Sequence, residues 1–403
     1  MTKPRRRQAG EGGISAYRTK AGERFLIKYV ACRDDGSKYV VLKRGFKTRR
    51  EASAALRDRT HSVDHGQHVA PNRITVGEHM GEWLDGLRKS PSTIASYRKN
   101  VRLHVVPHVG ALRLEQLTGT RLTALYRQLE REGRADGAGG LSARTVRYVH
   151  TIIHSALGAA VRDGRLIANP ADKAVPPSAR EAASPEMSTW SSEQLQAFLG
   201  WSLARPDDLY AAWLLLAITG MRRGELLALR WADVDLERGT VAVRRSAGLI
   251  KSKGEPERID IGRPKSGKTR VVDVDPQTVI VLRSHRAARG SLSLTFARDD
   301  AYVFGDLAGE VRHPERFSRT FLARVRDAQR ALGEDALPAI RTHDLRHTMA
   351  TLALINGEHP KVVSERLGHA KVSITLDVYS HAVPTLQREA AGRLAALVYG
   401  AKS

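Results

Sequence analysis

The sequence predicts a multidomain chain, mainly α with small β-sheets. Three observations lead there. Its 403 residues exceed one ordinary domain. Its patterning changes near residue 74 from β-branched alternation to three- and four-residue apolar spacing. A Pro-, Ser- and Ala-rich stretch at 175–189 then separates that helical region from a third segment of mixed pattern, residues 190–403.

The first module covers residues 1–65. FLIKYV (Phe25 to Val30) and KYVVLK (Lys38 to Lys43) are rich in β-branched and aromatic residues, with turn chemistry at Asp34, Asp35 and Gly36 between them. The run beginning at Gly45 reads as a third short strand and then a helix, whose start is marked by the Thr48–Glu51 capping-box spacing. The residues before about 13 read as a tail. A small sheet with one helix and this many cations makes a compact nucleic-acid reader, with Lys28 and Lys43 as candidate contacts.

Residues 74–174 carry four helical patterns, beginning near Val76, Thr93, Thr118 and Ser142, with the Gly-rich run Gly133 to Gly140 as the break before the last. Arg98, Lys99, Arg102, Arg144 and Arg147 fall on polar faces. Singly each is a solvated face residue; as a group they suggest a clamp on a polyanion. In the third segment, helical patterns at Ser191–Trp201 and Leu209–Gly220 precede a strand-like stretch, Thr240 to Ser246. A hairpin to Thr269–Asp275 follows across a long loop, Ala247 to Pro264, and then several more helices.

Lys and Arg number 66 against 43 acidic residues, a net charge of +23. Such an imbalance self-repels in the folded state and is matched by a polyanionic partner. The excess is uneven, with 17 Lys and Arg against 6 Asp and Glu in residues 1–60. No apolar run approaches the roughly 18 residues needed to span a bilayer, and the N-terminus lacks the apolar stretch of a secretory signal. Cys32 stands alone, which excludes an intramolecular disulfide and a zinc cluster built on cysteines. The expectation is a cytoplasmic protein that meets nucleic acid and no membrane.

The chemistry lies in four runs. TGMRRGELLALRW carries Arg222 between two helical patterns, with Arg223 beside it and Glu225 three residues on. In THDLRHTMA, His343 and Arg346 are three apart at the start of a helix and share a face. His347 falls on another face and reads as structural, and Asp344 as a cap or orienting group. His369 follows Gly368, a helix C-cap in the run SERLGH. Tyr379 lies ten residues further on, in the run LDVYSHA. Cleaving a phosphodiester without metal needs fixed cations on the nonbridging oxygens, a nucleophile, and an acid for the leaving alkoxide. Arginine suits the first task through its permanent charge and planar fork. A phenol oxygen can form a phosphoester and later leave it.

These four runs, in this order, resemble the tyrosine recombinases, specifically phage-type integrases with an added N-terminal domain. The resemblance spans about residues 190–390. It implies an α+β catalytic domain at 190–403, a helical core-binding domain at 74–174 and an arm-type DNA-binding module at 1–65. The family also carries a lysine on a β-hairpin between its two arginines. In PKSGKTRVVDV that position is Lys265, with Lys268 as the rival. By resemblance, Tyr379 attacks the scissile phosphate to give a 3′-phosphotyrosyl link, while Arg222 and Arg346 hold the nonbridging oxygens. His343 assists proton transfer, His369 donates a hydrogen bond to the phosphate, and Lys265 protonates the leaving 5′ oxygen.

Exchange then proceeds through a Holliday junction within a homotetramer on duplex DNA with core and arm sites, integrating and excising a phage or other mobile element. DNA-bending or directionality proteins are possible partners. No metal or nucleotide cofactor is implied. A helical stripe of Leu386, Ala390, Leu394 and Leu397 would dock on a neighbouring copy. Three alternatives stand beside this reading: a host-type resolving recombinase, a type IB topoisomerase-like enzyme and a non-catalytic DNA-binding relative.

Overall fold

The computed structural model describes residues 12–19, 22–32, 38–64, 73–183, 187–265, 267–379, 391–392, 394–396 and 398–400. The chain divides into two compact units, Met1–Ser184 and Pro185–Ser403.

In the first unit, β1 (Gly13–Thr19), β2 (Gly22–Cys32) and β3 (Lys38–Phe46) form an antiparallel sheet in that order, followed by α1 (Arg49–Asp64). The third strand is therefore β1, before FLIKYV, and not the run at Gly45. GISAYRT holds little β-branched content, and its strand conformation comes from pairing along β2. Gly45 belongs to the end of β3. The register slips between Phe25 and Leu26, and Gly45 at φ +106° absorbs the bulge, so that Phe46 returns to the core. Ile27, Tyr29, Phe46 and Ala52 form that small core. Thr48 Oγ1 accepts from Glu51 N at 3.1 Å, and Glu51 accepts from Lys47 N at 2.9 Å, one residue earlier than a reciprocal capping box would have it.

The helical part comprises α2 (Val76–Asp85), α3 (Pro91–Asn100), α4 (Val106–Val109), α5 (Gly119–Glu132) and α6 (Ala143–Arg162). The pattern from Thr93 to Val109 is one helical path with a π turn at Val101–Val105. Pro107 explains the turn: it has no N–H to give, and the wider turn just before it lets Val106 N–H bond the Val101 carbonyl five residues back. Met80, Leu84, Leu122, Tyr126, Val149 and Ile153 are among the side chains packed inside. At the start of the proline-rich stretch, Val175 N–H bonds Thr123 Oγ1 at 2.9 Å and the Pro177 carbonyl accepts from Arg147 Nη1 at 2.8 Å.

The second unit holds α7 (Ser192–Leu203), α8 (Tyr210–Thr219), α9 (Arg223–Leu227), α10 (Pro276–Leu292), α11 (Pro314–Leu332), α12 (Asp344–Ile355), α13 (Pro360–Leu367) and α14 (Val372–Tyr379). Its strands are β4 (Val234–Asp235), β5 (Thr240–Val243), β6 (Ser246–Ile250), β7 (Arg258–Gly262) and β8 (Arg270–Asp273). The expected hairpin is the antiparallel pair β5–β8, with β4 on its other edge. What reads as a long loop at Ala247–Pro264 is largely a second hairpin, β6–β7, paired from Ser246 with Gly262 to Ile250 with Arg258. Helix α8 is buried along nearly its whole length, as its apolar run demands. Trp190, Phe198, Trp213, Phe317 and Phe321 build the aromatic centre around it. Of the C-terminal stripe, only Leu394 lies among the residues whose side chains are described, and it is exposed.

Candidate active site

Helix α8 ends in Gly220 at φ +61°, a left-handed cap that a side chain could not occupy, since a Cβ there would fall 2.8 Å from Leu367 and closer still to Met349. The chain then turns through buried Met221 to Arg222, the N-cap of α9. Glu225 closes that turn. Its Oε2 accepts from Arg222 N at 2.9 Å and its Oε1 from Arg222 Nη1 at 2.9 Å.

Arg346 comes from α12, one turn after His343 at the helix N-cap. It is buried at 3 % exposure, and its Nη1 donates to the Gly220 carbonyl at 2.7 Å. The second arginine thus braces the turn that launches the first. Asp344 orients rather than caps: it accepts from Arg341 N at 2.7 Å and from its Nε and Nη2 at 3.0 Å each, and takes no N–H of the helix. The His343 and His347 rings meet edge to face at 4.9 Å between centroids.

His369 follows the left-handed cap Gly368 (φ +66°), so the end of α13 sets its direction. Its Nδ1 shares a hydrogen bond of 2.8 Å with Thr375 Oγ1, a fully buried hydroxyl on α14. Two histidines are held far below their ordinary pKa, each at about 4. For His343 the causes are burial, then His347 and Arg346, then Arg222, against an opposing pull from Asp344. For His369 they are burial, then Arg346 and Arg222, then His347 and Arg270. The cations acting on His369 include the site's own arginines, which puts these groups in one electrostatic neighbourhood.

A cleft of about 560 Å3 has Arg222, Arg223, Ser318, Arg341, His343 and Lys265 among its walls. Lys268 is exposed and does not line it. Arg223 reaches Ser318 Oγ at 2.7 Å. Tyr379 is the last residue of α14, and its side chain lies outside the described residues.

The candidate DNA contacts are placed unequally. Arg98, Lys99, Arg102 and Arg144 are all exposed, Arg98 in a surface pair with Asp85 at 2.7 Å, whereas Arg147 is half-buried on the Pro177 carbonyl. Lys28 pairs with Leu42 on the open face of the first sheet, beside Arg24, Leu26 and Arg44. Lys43 pairs with Ile27, which is fully buried, so it lies on the helix side of the edge strand. Sequence reasoning missed Arg270, which grips Glu225, and Thr375, which holds His369. Arg270 lies in the run PKSGKTRVVDV, but its partner is 45 residues away; Thr375 is only six residues from His369, and spacing alone does not show that they bond.

Residues 175–385 match the phage integrase family. The chain belongs to the phage integrase family. It is a tyrosine recombinase, an enzyme of site-specific DNA recombination. The recombinase is 25 % identical over 381 residues to a "tyrosine recombinase XerC-like" protein of Caldanaerobacter subterraneus, covering 90 % of this chain and 93 % of that one. Its fold is similar to that of the Tn1549 transposon integrase bound to transposon right end DNA, with TM-score 0.65, 21 % identity, and coverage of 80 % of this chain and 100 % of the other. It is also similar to a lambda integrase solved as a tetramer on a Holliday junction, with TM-score 0.55, 15 % identity, and coverage of 93 % and 96 %. Among the described residues no helix is long and apolar enough to cross a membrane.

Proposed function

We propose that the recombinase cuts and rejoins DNA through Tyr379, forming a 3′-phosphotyrosyl link and passing through a Holliday junction to integrate or excise a mobile element. The observation that carries this reading is the single braced turn at Gly220–Arg222. It ties Arg222 to Glu225 and receives Arg346, while Lys265 and His343 border the same cleft. Arg222 and Arg346 would grip the nonbridging oxygens of the scissile phosphate and offset the charge that grows in the phosphorane-like state. His343, neutral at physiological pH with its pKa at about 4, can take the tyrosine proton. His369 is fixed by Thr375 at Nδ1; with the Thr375 hydroxyl donating to Nδ1, Nε2 holds the ring proton and would donate it to a phosphate oxygen. Lys265, exposed at the cleft, would protonate the departing 5′ oxygen.

The 5′ hydroxyl of a partner strand then attacks the phosphotyrosine. One phosphoester replaces another, so the bond energy is kept and resealing needs no nucleotide. The basic N-terminal sheet and the helical module would bind arm and core DNA, through Lys28 and the exposed cations Lys99, Arg102 and Arg144. A tetramer, as in the lambda integrase structure, would bring four such sites together. An apolar groove of about 880 Å3, with Leu195, Ile218, Met349, Leu352 and Val363 among its walls, could receive the C-terminal segment of a neighbouring copy.

The test is a nicked suicide duplex carrying the joined ends of the element that encodes the chain. Wild-type protein should give a 3′-linked covalent adduct on a denaturing gel, and Tyr379→Phe should give none while still shifting the DNA. An adduct with both proteins would move the nucleophile elsewhere.

A further inference from the structure

Glu225 touches no part of the cleft directly, yet four hydrogen bonds meet on its enclosed carboxylate. Two come from Arg222. The other two come from Arg270 on β8, whose Nη1 reaches Oε1 at 3.1 Å and whose Nη2 reaches Oε2 at 2.7 Å. Arg270 is itself 10 % exposed and gives its Nε to the Arg366 carbonyl at 2.8 Å, three residues before His369. The guanidinium lies where a side chain on Gly368 would stand, since a Cβ there would come within 2.9 Å of Arg270 Nη1. One residue therefore bonds the helix that Arg222 caps and the helix that leads into His369. Its own strand leads back along the chain toward Lys265.

The charges decide what this arrangement does. Alone, Glu225 and Arg222 would make a neutral pair, and the carboxylate would compete with phosphate for the same guanidinium. With Arg270 on its other side, one negative charge is divided between two cations, and the trio keeps a net positive charge facing the cleft. Burial works against the charged carboxylate, but the hydrogen bonds and charges of Arg270, together with those of Arg222, outweigh it and hold the pKa of Glu225 below the ordinary range.

We propose that Arg270 is a positioning residue of the active site: its fork holds Glu225 so that the carboxylate orients Arg222 without neutralising it. This rests on the reading of Arg222 as a phosphate-holding cation. The full-length chain would be compared as wild type, Arg270→Ala, Arg270→Lys, Arg222→Ala and the double variant Arg222→Ala/Arg270→Ala. The readouts are the single-turnover rate of adduct formation on the nicked suicide duplex, affinity by gel shift, and melting temperature.

Arg270→Ala should slow adduct formation about a hundredfold, the scale of a small misplacement near reacting atoms, with affinity kept within about twofold. Arg270→Lys keeps the charge and loses the fork, so its rate should fall between those of Arg270→Ala and wild type. The double variant should be no slower than Arg222→Ala if the grip on Glu225, and not the bond to the Arg366 carbonyl beside His369, carries the effect. A double variant in which the two losses multiply would overturn the proposal, as would a folded Arg270→Ala that cleaves at the wild-type rate. If Arg270→Ala does not fold, the same cycle with Arg270→Lys decides between the additive and the dependent outcome. Arg222→Ala cleaving like wild type would remove the reading of Arg222 itself, and that single variant separates this failure from a failure confined to Arg270.

Discussion

Two imidazoles in the site are uncharged at neutral pH, and this has a consequence for stability. His343 and His369 titrate near 4 in the folded chain against 6.5 for a free histidine. Between those values the unfolded chain binds protons that the folded chain refuses. The sign follows: stability is intact above pH 6.5 and falls as pH drops toward 4. Urea melts across that window should show the decline in wild type and a shallower one in His343→Gln and His369→Gln. An equal slope in all three would mean that other groups govern the acid limb. The pairing of His343 with Arg346 was legible in the sequence because a three-residue interval on a helix places both on one face. The grip of Arg270 on Glu225 was not, because 45 residues separate them and only the tertiary fold brings the two side chains together.

At the scale of elements, the active site depends on how closely α9 approaches the inserted β6–β7 hairpin. Gly224 permits it: a Cβ there would lie 2.7 Å from Ser246 Oγ and nearer still to the Ala247 carbonyl. Gly224→Ala must push the helix off the strand, at a cost of about 1–3 kcal/mol for overpacking. Because β7 runs on into Lys265, the same displacement should slow cleavage about tenfold or more, by the sensitivity of reacting groups to small shifts. A denaturant midpoint and an adduct rate measured on one preparation would check both effects. Reading these elements from sequence succeeded where the apolar pattern was strong, periodic in α6 and continuous in α8. It failed at β1, whose small and polar residues give little strand signal. It also failed at β6–β7, where AGLI and RIDIG are too short to separate from the charged turn between them. The π turn before Pro107 was hidden because a proline inside a helical pattern marks a disturbance without saying which kind.

At the scale of the whole molecule, charge is the governing quantity. A net +23 borne on two units should make DNA binding fall steeply with salt, by a slope of about −0.9 for each phosphate contacted. Removing residues 1–64 takes away a disproportionate share of that charge. The truncated protein should show a shallower salt slope and lose arm-site binding, while still forming adduct on a preassembled core site. Gel shifts over a salt series, run beside the suicide-substrate assay, would show this. Loss of core-site adduct on truncation would mean that the N-terminal module takes part in catalysis. The three-part organisation could be read from composition and periodicity. The face or partner that each cation takes could not, as Lys43 on the helix side of its sheet and Arg147 on the Pro177 carbonyl show, because it depends on strand register and on where the chain returns.

The turn at Gly220–Arg222 is at once the cap of a five-residue helix and the grip on a cation. Thermal robustness and turnover are therefore not separate traits at this spot. A selection for heat-tolerant descendants of the enzyme should collect its substitutions elsewhere, and leave Gly220, Arg222 and Glu225 untouched.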